Sequence, residues 1–161
     1  MIPRLVRRFF QSPRNFRRLM NCWPPYLGAG IRVRHISPDW REIKVELPLT
    51  RWNANAVGTQ FGGSLFAMTD PFFMLMLMHA LGPDYRVWDR SGSIDFLRPG
   101  QGRVRAVFRL GDEQLALIRR HTADGDRHLE TFEVDITDEA GEVVARVQKV
   151  VYVRRSVENS P

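Results

Sequence analysis

The chain has 161 residues, a formal net charge of +6 and 43% hydrophobic residues. This length suits one domain with one sizeable hydrophobic core and leaves little room for two domains. The single cysteine excludes an intrachain disulfide and a multi-cysteine zinc site, and it fits a reducing compartment, so we expect a cytoplasmic protein. The histidines have no metal-ligand spacing, and we expect no bound metal.

The excess positive charge lies in the first 20 residues, which contain six arginines and no acid. The other 18 basic residues equal the 18 acids in number, so the body of the chain is neutral and has no basic stripe for binding nucleic acid. Hydrophobic residues alternate with the leading arginines, as in membrane-surface helices and transit peptides. Because Pro3 and Pro13 limit any helix to a short one, we favour a helix packed on the domain with its arginines toward water.

The next segments predict an extension, a hairpin and a loop. Trp23-Pro24-Pro25 must stop a helix, so residues 1–27 are interpreted as a basic N-terminal extension. Residues 30–36 and 42–49 alternate hydrophobic and polar residues around a Ser-Pro-Asp turn, which predicts two paired strands. Residues 51–60 are rich in Asn and Gly and predict a loop.

Residues 62–81 are hydrophobic on every face and reach the length of a membrane span. Asp70 at the centre of this segment would be costly in lipid, whereas a helix wrapped by a sheet is also hydrophobic all round. We therefore predict a buried central helix that starts near Gly62 and Gly63 and is kinked near Pro71.

Four further strands and one helix are predicted after this segment. The helix, over residues 112–121, is expected to be capped by Asp112. The strands cover residues 87–97, 103–110, 128–137 and 142–153. The order predicts an α+β domain over residues 28–155, in which a curled antiparallel sheet of about six strands wraps the long central helix, followed by a frayed tail over residues 156–161.

The start of the central helix is the richest candidate site. Gly62 and Gly63 allow close approach of a ligand, and the unpaired N–H groups of a first helical turn could stabilise the oxyanion formed from a thioester carbonyl. Asp70 lies eight residues farther, roughly 12 Å along a helix axis, so one chain cannot place both groups on one reacting carbon. A dimer would bring Asp70 of one subunit to the glycines of the other.

These residues resemble a known signature. The run from Asn55 through Gly58, Phe61, Gly62 and Gly63 to Asp70 is similar to the Asn-x-x-Gly-x-x-His-Gly-Gly-x6-Asp signature of phenylacetyl-CoA-type thioesterases of the hotdog fold. Residues 94–99 resemble the strand that follows the helix in that family, and residues 141–147 resemble its last strand. The resemblance spans roughly residues 28–154. It is strongest to an uncharacterised hotdog branch related to tetrameric acyl-CoA thioesterases, which has an extra helix before the last hairpin.

The resemblance implies hydrolysis of an acyl-CoA or acyl-carrier thioester. By it Asp70 is the general base or nucleophile, the Gly62 N–H is the oxyanion donor, and Asn55 positions water or substrate. Family members work as homodimers or homotetramers with sites at the subunit interface and need no cofactor beyond the coenzyme A of the substrate. The chain departs from the signature at Phe61, which replaces the family histidine and leaves open whether turnover is retained.

Other residues are expected to contact the substrate. Arg98, between a strand and Pro99, either meets a coenzyme A phosphate or is a solvated surface arginine. The depth of the acyl pocket depends on how the hydrophobic side chains of the central helix pack. Together with Gly63 at the helix start, the candidate contacts are Phe61, Phe66, Phe73 and Met74.

Two other functions remain open at this point. The missing histidine and the basic leader fit a non-catalytic module that binds acyl thioesters or lipids, with the leader at an anionic membrane surface. Hydratase or dehydratase chemistry on the same fold is less favoured, because no histidine lies near Asp70 in the sequence.

Overall fold

The computed structural model describes residues 12–156, and the basic leader up to residue 11 and the tail from residue 157 lie outside the described part. The helices are α1 (Pro13–Cys22), α2 (Pro24–Ala29), α3 (Gly62–Ala67), α4 (Phe72–Leu81) and α5 (Asp112–His121). The strands are β1 (Arg32–Ile36), β2 (Glu42–Leu47), β3 (Tyr85–Phe96), β4 (Val104–Arg109), β5 (Arg127–Thr137) and β6 (Val143–Arg155).

The six strands form one antiparallel sheet in the order β1-β2-β4-β5-β6-β3. Side chains alternate along the strands, so that one face of the sheet carries the buried hydrophobic residues. This face curls around α4, and the predicted hotdog fold is confirmed. The sheet ends at β1 on one side and at the 12-residue strand β3 on the other.

Helix α4 is the centre of the core because nearly every side chain on it is hydrophobic. Phe72 lies 4.9 Å from Phe108 of β4, measured between ring centroids. Phe73 stacks on Phe132 of β5 at 4.4 Å and meets the edge of Phe108 at 5.2 Å. The helix therefore binds β4 and β5 together from the concave side of the sheet.

The predicted central helix is broken rather than merely kinked. Helix α3 ends at Ala67 and α4 begins at Phe72, with Thr69 folding its hydroxyl back onto the Phe66 carbonyl at 2.8 Å. Pro71 has no N–H to donate, and its ring disfavours helical geometry at the preceding residue, Asp70. Asp70 consequently lies in the break with 61% of its side chain exposed, and the prediction of a buried acid is wrong for the single chain.

By length and composition alone, the segment Gly62–Leu81 could cross a membrane, since its mean hydropathy is 1.4. A core helix passes the same test. Here the segment is divided between α3 and α4, and the sheet covers much of its hydrophobic surface. This arrangement is the one predicted for a central helix wrapped by a sheet.

Helix α1 packs on the domain through Phe16 and Met20, which are buried. Asn21 fastens the helix to β1, since its side chain accepts from the Val33 N–H at 2.7 Å and donates to the Val33 carbonyl at 3.0 Å. The sequence did not predict the short helix α2. The prolines that end α1 also start α2, because proline is favoured in a first helical turn.

The cap predicted for α5 is also wrong. The N-cap residue is Gly111, and no side chain caps the helix. Asp112 is the first helical residue, and its carboxylate instead accepts from the Arg41 guanidinium at 2.7 Å. An acid in the first turn still has favourable electrostatics there, so the pattern located the helix but not the cap.

Replacing Phe73 by alanine should destabilise the protein by about 3–5 kcal/mol, because the change removes a stacked ring from a core position that is 3% exposed. The free energy of unfolding in urea measures this. Phe61→Ala, which changes a ring that is 55% exposed, is the matched control and should stay within about 0.5 kcal/mol of wild type. Equal losses would contradict the placement of Phe73 in the core.

Candidate active site

A cleft of about 450 Å³ opens at the start of α3. The loop before α3 forms one wall, and the end of β3 with the following turn forms the other. Three of the predicted site residues line it, namely Asn55, Gly62 and Arg98. The structure thus brings together residues that are more than 40 positions apart in the sequence.

Gly62 and Gly63 present their N–H groups in the first turn of α3. Neither N–H forms a hydrogen bond within residues 12–156. The Phe96 ring covers Gly62 so closely that an added Cβ would lie 2.8 Å from it, and the Phe61 ring lies 2.5 Å from the corresponding position on Gly63. Only glycine fits these two positions without moving a ring, and the two N–H groups remain available as donors.

Asn55 organises the loop that leads to α3. Its side-chain oxygen accepts from the N–H groups of Val57 and Thr59, at 3.1 and 3.0 Å. Its amide nitrogen donates to the Thr59 hydroxyl and the Gln60 carbonyl, at 2.8 and 3.2 Å. Each hydrogen-bonding position of the Asn55 amide is thereby used. These contacts indicate a loop-shaping role in place of the expected contact with water or substrate.

Gln60 is a cleft residue that the sequence analysis missed. It is buried, and its amide nitrogen donates to the carbonyls of Leu47 and Gly102, both at 2.9 Å. Its backbone N–H donates to the Gly100 carbonyl at 2.9 Å. Gln60 therefore joins the two walls of the cleft, and no spacing in the sequence could have indicated these distant partners.

Arg98 stands at the mouth of the cleft with about half of its side chain exposed. Its guanidinium pairs with Glu142 at 3.0 Å, and both groups are open to solvent. Exposed pairs of this kind contribute little to stability, so the guanidinium is free to exchange Glu142 for an anion of a ligand. The same contacts also fit the alternative that Arg98 is a solvated surface arginine.

Asp70 does not line this cleft in the single chain. Its Oδ1 accepts from the ammonium of Lys149 at 2.8 Å, and the same ammonium lies 3.2 Å from Asp89 Oδ2. Asp70 Oδ2 has no hydrogen-bond partner among the described residues. Burial, and to a smaller extent the charge of Asp70, raises the pKa of the nearby Tyr26 phenol, which therefore stays neutral.

Lys149 and Asp89 were not predicted as site residues. Lys149 is buried with 4% of its side chain exposed, although the other inward positions of its strand are Ala145, Val147, Val151 and Val153. A lysine at a core position of an alternating strand was the signal that could have identified it. Burial raises the pKa of Asp89, and the Lys149 charge offsets part of that rise.

The other predicted contacts lie apart from the cleft lining. The ammonium of Lys149 lies 5.8 Å from the centroid of the Phe66 ring. Phe73 is part of the core, and Met74 is half-buried against it. Phe61 is exposed next to Gly63. In residues 12–156, no group of three or more His, Cys, Asp or Glu side chains is placed to hold a metal ion.

Comparisons with known proteins agree with this architecture. A family model described as a domain of unknown function (DUF4442) matches residues 13–153. No curated protein matches the chain. A protein of unknown function and probable thioesterase from Pseudomonas aeruginosa is 22% identical, with a TM-score of 0.77 over 91% of this chain and 99% of that one.

Two further solved structures are similar. A thioesterase from Haemophilus influenzae has a TM-score of 0.65 at 17% identity, over 93% of this chain and 95% of that one. A mutant thioesterase from Pseudomonas aeruginosa has a TM-score of 0.64 at 13% identity, over 89% and 94% of the two chains. At these identities the likeness establishes the fold that the chain shares with these proteins.

Proposed function

The chain belongs to the DUF4442 family, and from this membership and its hotdog fold we propose that it hydrolyses thioesters of acyl-CoA or acyl-carrier type. One observation carries the proposal. The N–H groups of Gly62 and Gly63 have no partner within the described residues, and Gly62 lines a cleft of about 450 Å³. Donors placed in this way suit the negative oxygen that develops when a thioester carbonyl is attacked.

In the proposed reaction Asp70 takes a proton from water as the water oxygen adds to the thioester carbonyl. The Gly62 N–H donates to the resulting oxyanion. The tetrahedral intermediate then expels the thiolate, which receives the proton from Asp70, and a carboxylic acid and a free thiol remain. The unpaired Asp70 Oδ2 is the atom that faces this proton transfer.

This chemistry needs a second copy of the chain, because Asp70 does not line the cleft at Gly62 of its own chain. Strand β3 supports a dimer. Among residues 12–156 it pairs only with β6, and its other edge offers backbone hydrogen bonds along a strand of 12 residues. Exposed hydrophobic side chains lie on or near this strand, namely Trp88, Phe96, Leu97 and Phe61. We propose a homodimer that pairs through β3, with a tetramer as a higher assembly.

The cleft also suits the coenzyme A part of a substrate. Arg98 at its mouth is placed to bind a phosphate, and no further cofactor is needed for the proposed reaction. Phe61 removes the polar side chain that the family signature has beside the thioester, so the substrate is held by hydrophobic contact there. A cytoplasmic location fits a substrate of this class.

A second candidate function is supported by the surface around α1 and β1. The first 38 residues contain eight arginines and no acid. A cleft of about 390 Å³ on this surface is lined by Arg14, Arg17, Arg34 and His35. Leu19, Trp23 and Leu27 are exposed on the adjoining helices. Cationic and hydrophobic side chains combined in this way suit an anionic lipid surface, as expected for a non-catalytic module that binds lipid or acyl thioester.

Asp70→Asn should lower kcat/KM for hydrolysis by about 10²–10⁴-fold, because an amide cannot accept the proton from water. The measurement is release of free thiol from acyl-CoA substrates of graded chain length. Asp126→Asn removes an exposed carboxylate just before β5 and should leave the rate unchanged. Equal rates for wild type and Asp70→Asn would refute the assignment of Asp70.

Leu97→Asp should convert the dimer to a monomer and abolish hydrolysis, since it places a charge next to the free edge of β3. Light scattering after gel filtration measures the mass. Leu129→Asp is the matched control, because Leu129 is similarly exposed, at 50% against 56%, but lies on the outer face of β5. A Leu97→Asp protein that stays dimeric would count against pairing through β3.

Vesicle sedimentation tests the second candidate. Wild type should bind vesicles that contain phosphatidylserine and not vesicles of phosphatidylcholine alone, and Arg14→Glu/Arg18→Glu should reduce the bound fraction several-fold. Arg120→Glu/Arg127→Glu makes the same charge change on exposed residues elsewhere and should have a smaller effect. Equal binding by the two double variants would argue against a specific surface at α1.

A further inference from the structure

We propose that Lys149 is a positioning residue for Asp70 and that Asp89 holds Lys149 in place. This inference rests on the proposed function and adds two residues to its site. Lys149, on β6, binds two carboxylates from different parts of the fold. Asp70 lies in the break between α3 and α4, and Asp89 is on β3. The bridge ties the break in the central segment to the sheet.

The register of the sheet makes room for the lysine. Lys149 points to the concave face, directly opposite Gly92 of β3. A Cβ at Gly92 would lie 3.0 Å from Lys149 Cδ and 3.0 Å from the Phe66 ring. Glycine at this position therefore leaves space for the lysine stem and the ring to pass each other.

A β-bulge brings Asp89 to the same face. Asp89 pairs with Val151 and Ser91 with Val150, so Arg90 is the extra residue on β3. Asp89 and Gly92 are three positions apart, so strict alternation without a bulge would place them on opposite faces of the sheet. With the bulge, both face Lys149, and the carboxylate reaches the ammonium at 3.2 Å.

The cation between the two carboxylates is a lysine and not an arginine. The chain contains 22 arginines and only two lysines, Lys44 and Lys149. An ammonium is a compact charge with three donors on a flexible stem, whereas a guanidinium is a wide planar fork. Beside Gly92 and Phe66 the compact ammonium serves both carboxylates at once, at 2.8 Å from Asp70 and 3.2 Å from Asp89.

Asp89 explains how the lysine is fixed. Asp89 Oδ1 is buried and has no hydrogen-bond partner among the described residues, so Lys149 is the group that compensates its charge. A lysine held by a half-buried carboxylate presents its ammonium at one place. Asp70, which is mostly exposed and lies outside any helix, then receives a fixed orientation with Oδ1 bound and Oδ2 open.

The first experiment observes the contact without any substrate. In protein labelled with [15N]lysine only two side-chain ammonium signals can occur, and Lys44→Met assigns them by removing one. Because Lys149 is buried and hydrogen-bonded, its signal should exchange slowly with water, and it should shift in both Asp70→Asn and Asp89→Asn. A Lys149 signal that is unchanged in Asp70→Asn would overturn the proposal.

The second experiment measures what the contact does. Lys149→Met should lower kcat by about tenfold or more with KM changed less than about twofold, since a misplaced base slows the chemical step and not binding. Lys44→Met removes the other lysine, which is 48% exposed and paired with Glu42, and should keep wild-type values. A Lys149→Met enzyme with wild-type kcat would overturn the proposal.

A double variant is the control for misfolding of Lys149→Met. Lys149→Met alone leaves Asp89 as a half-buried charge without compensation, so Lys149→Met/Asp89→Asn is measured beside it and should fold while showing the same loss of kcat. An unaltered kcat in the folded double variant also overturns the proposal. If the wild type hydrolyses no thioester, the proposed function fails, and the NMR signal alone decides whether Lys149 holds Asp70.

Discussion

The structure depends on covering one hydrophobic helix. Helix α4 has almost no polar side chain, and burying it lowers the free energy of the folded state by far more than any single surface contact does. The sheet supplies the cover by curling, with Phe108 and Phe132 from neighbouring strands packed on the same two phenylalanines of α4. The free edges β1 and β3, the cleft at α3 and the position of Asp70 all follow from how this cover is arranged.

The break between α3 and α4 separates the two halves of the candidate chemistry. On its N-terminal side, Gly62 lines a cleft, and at the break itself Asp70 leaves the helical path. A continuous helix would have aimed Asp70 at the core or at the sheet, with a large cost for a buried charge. The break instead lets the carboxylate remain largely in solvent while one oxygen is bound by Lys149.

Much of the fold could be predicted from the sequence, because periodicity is a local property. The hairpin, the four later strands, α5 and the central segment all follow from patterns of hydrophobic residues. Helix α2 was missed because Pro24 and Pro25 signal a stop and a start equally well. The resemblance indicated Gly62, Asn55 and Asp70, but the roles of Lys149 and Asp89 depend on partners far away in the chain. Asn55 bonds only to its own loop through its side chain and shows how a signature residue can shape a loop.

The extra residue at Arg90 has a consequence for how β3 can vary. Side chains along a strand alternate between its two faces, and the bulge interrupts this alternation in the middle of β3. Substitutions on β3 alter one contact at a time, whereas pairing β3 with β6 in strict alternation, with Arg90 retained, would turn Asp89 or Gly92 to the outer face and away from Lys149. The cluster is thus specified by the number of residues in the strand as much as by their chemistry.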